Sequence, residues 1–158
     1  MNCLSLTVTQ EDTAMRYLVL LGRICFAAIF ILAAPGHFKA QEIAYAANAG
    51  VPLASLAVPV AGLIALAGGL SVAFGYRAKI GAWLLVLFLV PVTITMHNFW
   101  TVTDPMMAQL QMAMFMKNVG LMGGALLLSY FGAGPLSLDA RRQAAAPRIA
   151  AIRQAQAA

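Results

Sequence analysis

Charge is what this sequence has least of. Only 9% of its 158 residues are charged, against about a quarter in an ordinary soluble domain. Residues 17–138 carry just Arg23, Lys39, Glu42, Arg77, Lys79, Asp104 and Lys117, too few to clothe a water-soluble core. Cysteine is scarce as well: Cys3 and Cys25 form no C-x-x-C pair, so neither a disulfide framework nor a zinc site follows, and no metal centre is expected. The chain also lacks a Gly-rich phosphate loop, an H-E-x-x-H run, a carboxylate pair within an apolar stretch and a Ser/His/Asp set. Stand-alone hydrolytic or nucleotide-dependent catalysis is therefore unsupported. Period-2 alternation is missing from the apolar runs, which excludes a membrane barrel.

What remains is 62% hydrophobic and divides into four apolar runs near the ~20 residues that cross a ~30 Å hydrocarbon core. They cover about 17–34, 52–75 and 80–96, with the fourth running from 106 or 112 to 131. The expected fold is all-α, an integral membrane four-helix bundle, up-and-down. A leader, 1–16, precedes the spanning domain 17–138, and a basic tail, 139–158, follows it. Glu11 and Asp12 ahead of the first run argue for a retained helix rather than a cleaved signal peptide.

Arg16, the Arg77/Lys79 turn and the tail arginines would share one side, so both termini are expected in the cytoplasm of a multi-pass inner-membrane protein. That same use of positive charge removes nucleic acid as a partner, since no basic face interleaved with aromatics is present. The lipid bilayer is the partner expected first, and an oligomer is compatible with the sequence; the spacing of Ala57, Ala61, Ala65 and Gly69, repeated by Gly120 and Gly124, suits close helix packing within the bundle. Residues 41–48 suit a short interfacial helix ending at Gly50. The Ala/Gln/Arg-rich tail is expected to be loose or to lie on the membrane surface.

Polar residues inside or beside spans are the functional candidates. His37, Lys39, Glu42, His97, Asn98, Asp104, Gln109, Gln111, Lys117 and Asn118 all fall toward the outer side. Gln111, Asn118 and Ser129 form a polar stripe on the last helix at spacings that share one face. Arg23 either snorkels or is buried, and Lys117 lies deep if its helix starts at 106 but near water if it starts at 112. The tentative ligand-binding set is Arg23, His37, Lys39, His97, Asn98, Gln111, Lys117 and Asn118, lining one pocket for a head group rich in carbonyl or anionic oxygen. Two histidines alone are too few for transmembrane haem. Met112, Met114 and Met116 cannot converge on a soft metal from a helix, so they act as apolar filling.

Gly22-Arg23, Gly36-His37-Phe38-Lys39, Gly50-Val51-Pro52, Gly68-Gly69, His97-Asn98-Phe99, and above all Met114-Phe115-Met116-Lys117-Asn118 with Gly123-Gly124 resemble the DoxX family of small bacterial inner-membrane proteins. Where relatives in that family often carry a glutamate before the helix-two glycine pair, this chain has Ala65. The resemblance implies a subunit or accessory of a membrane redox system with a redox partner protein. On that reading quinone is the candidate cofactor, and His97 and Lys117 donate hydrogen bonds to its carbonyl. The competing readings are a small solute or lipid transport or handling protein, and a non-catalytic membrane anchor for a partner. A membrane subunit is favoured over a stand-alone enzyme.

Overall fold

The structure, a computed structural model, describes residues 3–157, with side chains described for 13–147. Six α-helices follow one another: α1 (Cys3–Ala33), α2 (Ala40–Asn48), α3 (Ala54–Phe74), α4 (Ala78–Met96), α5 (Pro105–Phe131) and α6 (Leu138–Ala157). Short 3-10 turns cover Ala34–Phe38 and Phe99–Thr101, and there is no strand among the described residues. Four stretches are long and apolar enough to cross a membrane: Thr13–Phe38, Ala54–Phe74, Ala78–Thr101 and Pro105–Phe131. At 1.5 Å per residue, α3 and α4 are roughly 30 Å long, the thickness of the hydrocarbon core.

The helix ends differ from the sequence expectation in ways the local chemistry explains. α1 starts at Cys3 rather than near 17, because no Gly or Pro between 3 and 16 stops it. α5 takes the earlier of its two possible starts. Pro105 occupies its first turn, and the Asp104 carboxylate accepts from the Met107 backbone N–H at 2.8 Å, an N-cap with proline where no donor is lost. The tail is the helix α6, opened by Asp139 in its first turn and composed of strong helix formers. Between α1 and α3, α2 closes at Gly50, whose φ of 84° suits glycine.

α3 packs between α1 and α4, and α4 packs between α3 and α5. Phe26 of α1 reaches across to Gly124 of α5, which draws the row of helices into a bundle. Leu85, Leu89 and Val72 are the largest fully buried side chains, with Ala27, Phe30, Ala65, Ala82 and Ala125 around them. So many small residues reflect the lipid setting, in which close backbone approach replaces the hydrophobic drive. Gly68 shows this directly: a Cβ there would stand 2.8 Å from the Leu85 side chain.

Both bundle ends are built from specific contacts. The end with the α3–α4 turn, here the turn end, is tied by three segments. Buried Arg23 of α1 donates to the carbonyls of Ala133 and, at 2.8 Å, Leu136. The Asp139 carboxylate accepts from the N–H groups of Arg77 and Ala78 at 2.8 and 2.9 Å, which caps α4. Its own N–H donates to the Gly75 carbonyl at 2.8 Å. The opposite end contains a cavity.

Candidate functional site

Proline 35 ends α1 and starts the 3-10 turn that carries His37. The His37 ring stands edge-on to Phe88 of α4, with centroids 5.6 Å apart, and its Nδ1 lies 3.3 Å from the Ala33 carbonyl. Its Cβ presses against α3 where Gly62 leaves room, since a Cβ at Gly62 would come within 2.6 Å of it. α2 then crosses the same end of the bundle and presents Glu42, Tyr45 and Ala46, which the i, i+3, i+4 spacing puts on one face. His97 follows the last residue of α4. The chain beyond it is held by an aromatic cluster of Phe99, Trp100 and Phe115, whose centroids are 5.1 to 5.8 Å apart.

These elements enclose a cavity of about 410 Å³. Its walls are largely apolar, supplied by Ala57, Val58 and Ala61 of α3 and Pro91, Val92 and Met96 of α4, and its polar groups are His37, Glu42, Tyr45, His97 and Thr95, whose hydroxyl donates to the Pro91 carbonyl at 2.8 Å. Gln111 of α5 supports two of them from behind. Its Oε1 lies 2.8 Å from His97 Nδ1 and its Nε2 donates to the Tyr45 hydroxyl at 3.0 Å. With the amide oriented this way, His97 Nδ1 donates and its Nε2 is the free nitrogen. His37 is arranged alike, with Nδ1 donating to a backbone carbonyl. In neutral imidazoles both free Nε2 atoms accept. The Glu42 carboxylate also accepts, and the Thr95 hydroxyl proton is engaged by Pro91, leaving the Tyr45 O–H as the donor available to the cavity among these five polar wall groups.

The structure therefore brings together His37, His97 and Gln111 of the sequence-predicted set. Of the expected polar stripe on α5, Asn118 is buried, while Gln111 and Ser129 are half-buried and the Ser129 hydroxyl donates to the Leu126 carbonyl of its own helix at 2.7 Å. The other four lie elsewhere. Arg23 sits at the turn end, fourteen residues or about 21 Å along the helix axis from His37, and serves as the tie described above. Lys39 is exposed at the N-cap of α2. Asn98 caps the Phe99–Thr101 turn, its carbonyl accepting from Thr101 Oγ1 at 2.9 Å. Lys117 is exposed, and its Nζ reaches back to Met114 Sδ at 3.6 Å, one turn toward the cavity end. It lies six residues below Gln111, about 9 Å, on the exposed outside of α5. A carbonyl clamp of His97 and Lys117 is thus not formed. Tyr45 was missed from the sequence, although its position three residues after Glu42 on an amphipathic segment was a usable signal.

The chain matches the family model described as the SURF4 family over residues 4–144. It is 32% identical over 124 residues to the inner membrane protein YqjF of Escherichia coli, covering 77% of this chain and 88% of that protein. It is 26% identical over 135 residues to the ER-derived vesicles protein ERV29 of Saccharomyces cerevisiae, covering 85% of this chain and 37% of that protein. The chain thus spans well under half of the yeast relative and most of the bacterial one. No solved structure matches it. The resemblance to the DoxX family is corrected by the SURF4 match, which runs through nearly the whole chain. The blocks that suggested DoxX are short, and glycine pairs flanked by Phe and Met are what close packing in lipid asks of any small span.

Proposed function

The chain belongs to the SURF4 family and is a multi-pass inner-membrane protein; from that premise we propose that it is a non-catalytic binding protein for an amphipathic small molecule, one that handles a lipid-like ligand. The observation that carries this is the cavity between α2, α3 and α4, with an apolar wall and three acceptors, His37, His97 and Glu42, at its polar side. Apolar pockets with a few convergent polar groups are the usual form of small-molecule sites. The acceptor-rich lining selects a head group that donates hydrogen bonds, such as a hydroxyl or an ammonium, over an anionic oxygen. The hydrocarbon part would lie against Val58, Ala61 and Val92.

Quinone-linked redox work is the second reading, and the acceptor set favours the reduced quinol, whose two phenolic O–H groups would meet His37 and His97. One experiment separates the two. Protein purified in mild detergent is extracted and the retained amphiphiles identified by mass spectrometry, with Tyr45→Phe and His97→Ala variants alongside. A hydroxyl- or amine-headed lipid lost from His97→Ala supports lipid handling, and a retained quinol supports the redox reading. Wild type that retains neither, with Trp100 emission unchanged on titrating either class, refutes a binding site in this cavity.

A further inference from the structure

A second cavity, of about 590 Å³, opens at the turn end between the start of α4, the segment after α5 and the first turns of α6. Its wall combines the cations Arg77 and Lys79 with the apolar Phe131 and Ile80, the pairing found where a span meets the head-group layer. Neither cation has an ion-pair partner among the described residues. The one carboxylate in the wall, Asp139, already accepts from two backbone N–H groups, and the Arg23 guanidinium lies close enough to interact with it. With two cations against that single carboxylate, which is turned to the α4 N-terminus, the wall is net positive.

Two glycines shape the wall beside the cations. Gly132 and Gly134 have φ of 80° and 77°, conformations that only glycine adopts freely. The Lys79 stem lies against Gly132, and Gly134 packs on Val19 of α1. Arg77 is itself in the left-handed region, φ 48°. That fixes where its side chain leaves the turn, beside Tyr76, whose ring centre is 5.9 Å from the Arg77 guanidinium and 5.0 Å from that of Arg142.

We propose that this second cavity holds a phosphate-bearing anion, bound by Arg77 and Lys79. Two sources share that chemistry: the phosphodiester of an anionic lipid, whose chains would lie against Phe131 and Ile80, and free phosphate. The site is separate from the ligand cavity at the opposite end and stands whether or not that cavity is filled.

The test is native mass spectrometry of the full chain in mild detergent, titrated with phosphatidylglycerol, with zwitterionic phosphatidylcholine as reference, with and without millimolar inorganic phosphate. Wild type binds phosphatidylglycerol in preference. Arg77→Asn/Lys79→Gln, in which asparagine tolerates the left-handed backbone at 77, weakens that binding by about tenfold or more. Gln143→Glu, which puts a second carboxylate on the cavity wall while keeping both cations, weakens it in the same direction. Arg16→Gln/Arg141→Gln removes two charges at the same end outside the cavity and leaves it unchanged. Lipid retained against inorganic phosphate supports the lipid phosphodiester as occupant, and displacement supports free phosphate. Equal losses in the cavity and control pairs overturn the site in favour of diffuse charge attraction. No loss in either pair, with melting temperatures intact, overturns it outright.

Discussion

Adding one methyl group at Gly62 tests the cavity without substituting any residue of its lining. A Cβ there would stand 2.6 Å from His37 Cβ, 3.0 Å from Cγ and 3.5 Å from the Ala34 carbonyl oxygen. Carbon atoms settle at about 3.5–4.0 Å, so Gly62→Ala forces the His37 turn away from α3 by about 1 Å. The turn cannot yield without consequence, because His37 Nδ1 is already 3.3 Å from its acceptor and its ring rests on Phe88. Overpacking of this kind costs about 1–3 kcal/mol. The ligand loses one well-placed hydrogen bond, about 1 kcal/mol or a fewfold to tenfold in affinity. Thermal unfolding in detergent reads the first effect and ligand titration followed by Trp100 emission reads the second. His37→Ala should lower affinity by a similar factor, and the double variant by no more than either, because both act through one ring. Losses that multiply in the double variant, or Gly62→Ala with unchanged melting and affinity, would refute the placement of His37 between α3 and the cavity.

Arg23→Met is expected to destabilise the protein by about 2 kcal/mol, since two charge-assisted bonds to backbone carbonyls disappear and the Ala133 acceptor stays buried while that of Leu136 is only partly so; a melting curve that matches wild type would show that the tie is not made. Lys117→Leu should change stability by less than about 0.5 kcal/mol and leave ligand affinity unaltered, because this lysine faces lipid; a tenfold weaker titration would place it in the cavity after all. Removing the α5 cap with Asp104→Ala should cost about 1 kcal/mol, seen as a lower melting temperature with hydrogen exchange accelerated at Met106 to Ala108 alone.

The spans were legible because burial in lipid writes itself into composition, and one absent charge after another fixes where a helix can run. Helix ends were legible only where a specific signal exists, such as Gly50 closing α2. Asp104-Pro105 was an equally clear signal, and weighing it would have settled the start of α5. The polar residues were harder. Their distance from the helix ends says how deep they lie but not which way they face, so Lys117 and Asn118, neighbours in sequence and about 100° apart around the helix, end up one exposed and one buried. Arg23 was recognised as out of place, yet its acceptors at 133 and 136 are more than a hundred residues away and are backbone atoms, which no side-chain pattern announces. Tyr45 enters the site only because Gln111 meets it from another helix. Such contacts exist once the bundle has closed.

The Arg23 tie also sets an order of events during synthesis. Its acceptors follow it by 110 and 113 residues, which at roughly 5–20 residues per second takes about 5–20 s to make. Throughout that interval the first span must hold a guanidinium without the two carbonyls that finally accept from it. The bond closes when the final span has entered and the chain turns back beneath α1, so the newborn protein carries a latch that only a complete set of spans can shut.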